Sequence, residues 1–334
     1  MIVSKTPLRV SFLGGGSDFP DFFKGNIGYT LGTAVNLYVY TSALQHSALA
    51  DSKYKLTYSL NESVDDYANF KHPLVRETLK TLHWGNSGLH ISTMADVPAR
   101  TGLGSSSSFA VGLIKAISTL QGHNFNEREI ASQAINIERQ VLNESGGWQD
   151  QIYSSLGGMK LIEYRLDDWA AHDIIINKSF QELISDSLML VNVGGSRHSA
   201  VSAKVTQEAA HSGEKKRFFE DLANLAKSTS DMLCSNRSDF EKFCALSDAI
   251  NVAWEYKSQI SDVSSLEIQE TIKWGKQNGA MAAKLCGAGG SGFILFLLDS
   301  AARRNFEEHF SKKRIQNIKI AQNGSEIVYF DEHS

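Results

Sequence analysis

The sequence predicts a two-domain α+β protein, and three observations carry that prediction. Strand-like alternation dominates the chain from Thr6 to Val193, with a few helical stretches between. After Val193 the composition shifts to long, charged helical segments. From Ala280 the tail returns to strand, glycine loop, strand and helix, a split α+β pattern. A chain of 334 residues that is 42% hydrophobic can bury one large core or two ordinary ones. The composition shift places the boundary between domains 1–185 and 186–334.

From Thr6 to Leu13 the side chains alternate, with Leu8, Val10 and Phe12 on one face and Arg9 and Ser11 on the other, a half-buried strand carrying one cation. A second strand is predicted from Thr33 to Leu44, and shorter ones at Tyr54 to Tyr58 and Leu89 to Thr93, with a helix from Pro73 to His83 between them. Ser105 to Leu120 is a helix, because Phe109, Leu113, Ile117 and Leu120 recur at helical spacing and Gly122 follows. Asn126 with Glu129 forms a capping box for the next helix, whose apolar stripe is Ile130, Ala134, Ile137 and Val141. Glu138 falls at the edge of that stripe. Strands follow at Met159 to Tyr164, Asp173 to Asn177 and Leu188 to Val193. Helices are predicted at Ala200 to Ser212, Lys215 to Ser230, Asp239 to Tyr256 and Leu266 to Asn278. The tail gives strands at Ala280 to Leu285 and Phe293 to Leu298, a helix ending near Lys312, and closing strands. No internal repeat or low-complexity linker interrupts the series.

A formal net charge of -4 with interspersed signs leaves no basic stripe for nucleic acid and no polybasic membrane anchor, so a small soluble partner is expected. Cys234, Cys244 and Cys286 lack metal-ligand spacing and read as core thiols of a reducing compartment. No apolar run approaches a membrane span, and the N-terminus begins at once with strand-like sequence, so a cytoplasmic location is expected.

The central chemical signal is the run Pro98-Ala99-Arg100-Thr101-Gly102-Leu103-Gly104-Ser105-Ser106-Ser107-Ser108, a glycine turn feeding four serines into a strong helix. Free backbone N–H groups and the positive end of the helix dipole suit a phosphate there, and hydroxyls can donate to it or bind magnesium. No Lys follows the last glycine as a Walker A loop requires, and there is no G-x-G-x-x-G. Upstream, Arg9 and Gly14-Gly15-Gly16-Ser17-Asp18 bring a cation and a ligand-hugging loop together. Asp18 reads either as an acceptor for sugar hydroxyls or as a turn carboxylate capping the Phe19 to Lys24 segment.

Phosphoryl transfer needs carboxylates to hold magnesium and to orient or deprotonate the attacking hydroxyl. Glu138 and Asp150, the latter within Gly146-Gly147-Trp148-Gln149-Asp150-Gln151, are available for this. On their own they read equally as a solvated helix charge and a helix N-cap. The loop Cys286 to Gly292 leads into a strand and not a helix, which argues against a dinucleotide fold and for a tight connection closing over the phosphate loop, or a plain hairpin turn.

Taken in order, these pieces resemble the GHMP kinases, the superfamily of galactokinase, homoserine kinase, mevalonate kinase and phosphomevalonate kinase. Pro7-Leu8-Arg9 running into Gly14 to Asp18, the Pro98 to Ser108 loop and Gly287 to Gly292 carry the resemblance over nearly the whole chain. With Gly147 to Gln151 and Gly157-Gly158, the sequence is most similar to the bacterial D-glycero-D-manno-heptose 7-phosphate kinases. The resemblance implies an N-terminal domain like domain 2 of ribosomal protein S5, a ferredoxin-like C-terminal domain and an active site between them. It implies ATP and Mg2+, a sugar phosphate as partner, and permits a homodimer.

By motif, Gly102, Leu103, Gly104, Ser105, Ser106 and Ser107 would cradle the ATP phosphates, and Ser106 and Glu138 would hold the metal. Asp150 would orient or deprotonate the sugar hydroxyl and Arg9 would stabilise the transferring group. Gly15, Gly16, Ser17, Asp18, Gly289 and Gly290 would shape the sugar site. A phosphorylated substrate also needs a cation at its far end, for which Arg197 is the first candidate, with Lys204 and Arg100 as others; as lone cations all three read equally as solvated charges. Two residues depart from the pattern. Ser17 stands where Thr is usual, and Trp148 replaces a smaller residue beside Asp150, altering the wall of the expected sugar pocket. Fucose- or galactose-type kinases and a non-catalytic sugar- and ATP-binding regulator are the alternatives.

Overall fold

A computed structural model describes residues 1–46, 52–98, 101–166, 168–194, 213–260, 265–287, 289 and 292–331. The first half of the chain builds one large sheet. It comprises β1 (Ile2–Leu13), β2 (Gly28–His46), β3 (Tyr54–Thr57), β4 (Asn61–Val64), β5 (Gly88–Ala95), β6 (Met159–Arg165) and β7 (Asp168–Asp173). Its helices are α1 (Pro20–Phe23), α2 (Pro73–Thr81), α3 (Ser105–Leu120), α4 (Glu127–Ile135) and α5 (Gln149–Leu156). After α6 (Lys178–Ser187) and β8 (Leu188–Asn192) come the long helices α7 (Gly213–Leu233), α8 (Asp239–Ile260) and α9 (Leu266–Gln277). The chain ends with β9 (Ala280–Leu285), β10 (Phe293–Leu298), α10 (Ser300–His309), β11 (Ile315–Asn317) and β12 (Glu326–Phe330).

The large sheet runs β12-β1-β2-β5-β3-β4, with β6 and β7 added along the first part of β2. At 19 residues β2 is long enough to serve two neighbours on one side, pairing Gly28 to Thr33 with β6 and Val39 to His46 with β5. The second sheet is antiparallel in the order β11-β8-β10-β9. The split expected at 185/186 does not describe the tail, because β12 returns to pair with β1 in the first sheet. Edge strands are completed by whatever segment reaches them, and composition does not record that.

Helix α3 lies on β1 and β2, and one glycine sets how closely. A Cβ on Gly112 would sit 2.6 Å from the Thr6 hydroxyl, and the Gly112 carbonyl accepts a bond from Ser4 Oγ at 2.8 Å. The main core is continuous from Leu8, Val10 and Phe12 through α3 to Phe219, Leu222 and Leu295, so both sheets share one apolar interior. A smaller cluster around Phe296, Phe306 and Trp254 fills the far side of the second sheet. Each fully buried large apolar side chain contributes about 1.5–3 kcal/mol.

Several local expectations are corrected. The strand placed at Asp173 to Asn177 is instead Asp168–Asp173, because a tight hairpin pairs Arg165 with Asp168. Asn177 then serves as the N-cap of α6, its side chain accepting from the Phe180 amide. The edge strand β4 has no buried face and gave no alternation signal. Cys286 is buried, but Cys244 is half-buried and Cys234 exposed, so the three are not all core thiols. The helix predicted at Ala200 to Ser212 lies outside the described residues. Among the described residues no helix is long and apolar enough to cross a membrane.

Candidate active site

Arg9 projects from β1 next to a register shift between Pro7 and Leu8, where β2 carries extra residues opposite. Such a bulge re-aims the side chains beside it. The Arg9 guanidinium is 5% exposed and makes three directed contacts. Its Nε and Nη2 both lie 2.7 Å from Asp150 Oδ1, and its Nη1 donates to the Gly102 carbonyl at 2.7 Å. Burial works against the Arg9 charge, but Asp150 more than offsets it and holds the guanidinium pKa above its ordinary value. Strand β1, the phosphate-type loop and the start of α5 are thereby tied at one point.

The glycine–serine loop adopts the backbone such a cradle needs. Gly102 and Gly104 have φ of +80° and +78°, and Gly104 is the N-cap of α3 with no side chain satisfying the first amides. Those N–H groups remain for an anion. Gly104 also clears space for chemistry, since a Cβ there would lie 3.3 Å from Asp150 Oδ2. With Oδ1 occupied by Arg9, Oδ2 is the oxygen left to accept a hydroxyl proton. The four serines divide by position. Ser106 is exposed and Ser107 buried, both lining the cavity with Ser105. Ser108 turns inward, its one hydroxyl proton shared between the Pro7 and Gly104 carbonyls at 3.0 and 3.1 Å, and pairs with Ser154 Oγ at 2.8 Å. It is a structural hydroxyl.

Glu138 is only 1% exposed, although a regular helix leaves it at the edge of the stripe. After α4 the chain enters a π-helical turn, Asn136–Val141, and the added residue per turn rotates Glu138 inward. Gln151 Nε2 donates to its Oε2 at 2.5 Å, and the Ser107 hydroxyl bonds it as well. Burial pushes the Glu138 carboxyl up, opposed by the Arg139 charge and those two hydrogen bonds. One carboxylate beside serine hydroxyls is a hard-oxygen set suited to Mg2+, which takes one or two carboxylates and fills its other positions with phosphate and water. Among the described residues no cluster of three or more His, Cys, Asp or Glu forms an all-protein metal cage.

Asp18 is also buried, 1% exposed, and accepts from the amides of Gly16 at 2.9 Å and Gln149 at 3.4 Å. Burial pushes its carboxyl up against those two bonds, and the nearby Asp150 charge adds to the rise. It closes its own loop and faces the cavity, but it does not cap the Phe19 to Lys24 segment, since α1 has Phe19 as its N-cap and no side-chain cap bond. Gly147 must be glycine here, because a Cβ would fall 1.7 Å from Asp18 Oδ2.

Arg9, Gly15, Gly16, Asp18, Gly102, Gly104, Ser105, Ser106, Ser107, Glu138 and Asp150 all line one cavity of about 900 Å³. Three expected residues lie behind its wall. Ser17 is fully buried, its one hydroxyl proton shared between the Gly14 and Tyr29 carbonyls at 2.8 and 2.9 Å, so it corrects to a loop support. Leu103 is a core side chain whose carbonyl accepts the Arg9 amide at 3.1 Å. Gly289 is buried with φ of +113° but is not part of the wall. Its loop nevertheless abuts the phosphate loop, as Gly287 and Gly292 have ideal Cβ positions 2.5 Å from Gly102 Cα and 2.4 Å from the Thr101 carbonyl. Arg197, Gly290, Lys204 and Arg100 lie outside the described residues.

The sequence reading missed Lys257, Lys284 and Arg139, which also line the cavity, and the apolar end formed by Val39, Tyr58, His72 and Phe109. Lys284 stands two residues before the Cys286-Gly287 loop, a position that could have drawn notice. Lys257, in a late turn of a charged helix, gave no signal.

The GHMP kinases N terminal domain model matches residues 73–158 and the GHMP kinases C terminal model residues 237–313. A D-glycero-alpha-D-manno-heptose 7-phosphate kinase of Campylobacter jejuni is 28% identical over 97% of each chain. The bifunctional fucokinase/GDP-fucose pyrophosphorylase of Arabidopsis thaliana is 26% identical over 91% of this chain and 31% of its own length. A crystal structure of a D-glycero-D-manno-heptose 1-phosphate kinase from Bacteroides thetaiotaomicron superposes with a TM-score of 0.78 at 18% identity, covering 99% of this chain and 100% of the other. The chain belongs to the GHMP kinases, with their two-domain fold, and is a phosphotransferase whose acceptor is an alcohol hydroxyl.

Proposed function

We propose that this kinase transfers the γ-phosphate of ATP, with Mg2+, to the anomeric hydroxyl of D-glycero-D-manno-heptose 7-phosphate, giving the 1,7-bisphosphate. The observation that supports the substrate most directly is similarity over 97% of both chains to a kinase of that name, beyond the shared domains alone. The geometry supports the reaction.

In this reading the α3 amides and Gly102 to Ser107 hold the phosphates. Asp150 Oδ2 takes the hydrogen bond of the acceptor hydroxyl and then its proton, while Arg9 fixes the carboxylate through Oδ1. Asp18 accepts from a second sugar hydroxyl. Glu138 and Ser106, with Ser107 beside them, would hold the magnesium, which when bound offsets phosphate charge. Catalysis is then positioning plus electrostatic stabilisation of a loose transition state, without a covalent enzyme intermediate.

The test is ADP release from ATP and Mg2+ with the heptose 7-phosphate, unphosphorylated heptose, mannose 6-phosphate, fucose and galactose, with the product phosphate located by NMR. Selective turnover of the heptose phosphate at its anomeric carbon is expected. Preference for fucose or galactose would overturn the substrate, and ATP binding without any turnover would favour a regulator.

A further inference from the structure

Two ammonium groups in the cavity wall have no part in the chemistry above. Lys257 comes from α8 and Lys284 from β9, and both line the cavity that holds Arg9 and Asp18. Lys284 is 7% exposed, and its Nζ donates to the Phe12 carbonyl at 2.7 Å. Lys257 Nζ donates to the Leu285 carbonyl at 3.4 Å and to the Gly287 carbonyl. An ammonium carries three donors, so these carbonyls leave donors on both groups. Among the described residues neither lysine has a carboxylate partner; the cations that act on Lys284 are Lys257 and Arg9, and Arg9 acts on Lys257.

The local balance is therefore positive. Arg9 is answered by Asp150, whereas Cys286 is a buried thiol whose pKa burial pushes up, which keeps it neutral. A buried and a half-buried cation facing only carbonyl dipoles and each other are costly unless an anion completes the site. We propose that Lys257 and Lys284 form a subsite for a phosphoryl group, a tetrahedral dianion whose three oxygens accept from both ammonium groups at once. Its phosphate has two possible sources, the acceptor's own phosphate ester or the γ-phosphate of the nucleotide. Only the first rests on the proposed heptose phosphate substrate. It is the better fit to the charge, because in the proposed function the nucleotide phosphates already have the α3 amides and the Gly102 to Ser107 loop.

The test uses the full chain with inorganic phosphate as probe, at constant ionic strength. Phosphate should raise the melting temperature of the wild type and bind with an affinity measurable by calorimetry. Lys257→Met and Lys284→Met should each weaken that affinity about tenfold or more. Removal of a buried charge should leave their ligand-free melting temperatures equal or higher, so loss of binding is separable from loss of fold. Steady-state kinetics then assign the source. A rise in KM for the sugar phosphate with KM for ATP little changed assigns the acceptor's phosphate, and the reverse assigns the γ-phosphate. Wild-type phosphate affinity in both variants, or no binding by the wild type, would overturn the subsite. Phosphate binding lost in the variants while the heptose phosphate is not turned over would leave the subsite standing and remove only the substrate assignment.

Discussion

Arg9 and Asp150, 141 residues apart in sequence, meet through two nitrogens on one carboxylate oxygen, each at 2.7 Å. Two-nitrogen contact with a single oxygen leaves Asp150 Oδ2 unengaged by Arg9. The same guanidinium clamps the Gly102 carbonyl, so the glycine–serine loop and the proposed base are positioned by one residue.

Asp150→Asn keeps the shape but removes the proton acceptor. Turnover should fall by about two orders of magnitude or more. The ATP affinity measured by calorimetry should change little, because the α3 amides are untouched. Near-normal turnover would exclude Asp150 as the base.

Glu138→Gln removes a buried carboxylate that burial already disfavours. The Mg2+ concentration for half-maximal activity should rise about tenfold or more, as a charged ligand is exchanged for a neutral one. Stability in the absence of metal should hold or increase. An unchanged Mg2+ titration would remove Glu138 from the metal site.

Ser108→Ala and Ser106→Ala should behave oppositely. Ser108 satisfies two carbonyls and Ser154 inside the fold, so its loss should cost about 1–3 kcal/mol in urea unfolding. Ser106 is exposed, so its loss should leave unfolding within about 0.5 kcal/mol and reduce activity instead. Equal effects of the two on stability would contradict the division of the serine run.

Burial, helped by the charges of Lys257 and Arg9, pushes Lys284 down to about 7, and burial pushes Lys257 down to about 8. Unfolded, both titrate near 10.5, so between these values the unfolded chain binds more protons than the folded one. Stability of the ligand-free protein should therefore rise from about pH 7 towards pH 10, by at most about 1.4 kcal/mol per pH unit for each proton. Below about pH 7 both groups are charged in both states and their cost is at its full value. Calorimetric melting at pH 7, 8 and 9 should climb for the wild type and be flatter for Lys284→Met. Equal slopes in the two would refute the burial of that charge.

The sequence by itself determined the elements whose signals are local. Helix α3 has the bounds its periodicity predicts, and Asn126 and Glu129 form the capping box their spacing requires. The glycine–serine loop, Asp18 and the Gly147 to Asp150 turn were legible because close backbone approach and anion cradles need glycine at fixed offsets. Tertiary structure alone decided which of these residues share a cavity. Glu138 enters through a π turn that no apolar period encodes, and Ser17 and Ser108 are withdrawn by bonds to distant carbonyls. Lys257 and Lys284 were not singled out from the sequence at all, and β12 read as a tail of the second domain until it paired with β1. The physical reason is common to all of them. Periodicity and capping are properties of neighbours along the chain, whereas the burial of a charge and the partner of a hydroxyl depend on what folding brings to it from far away.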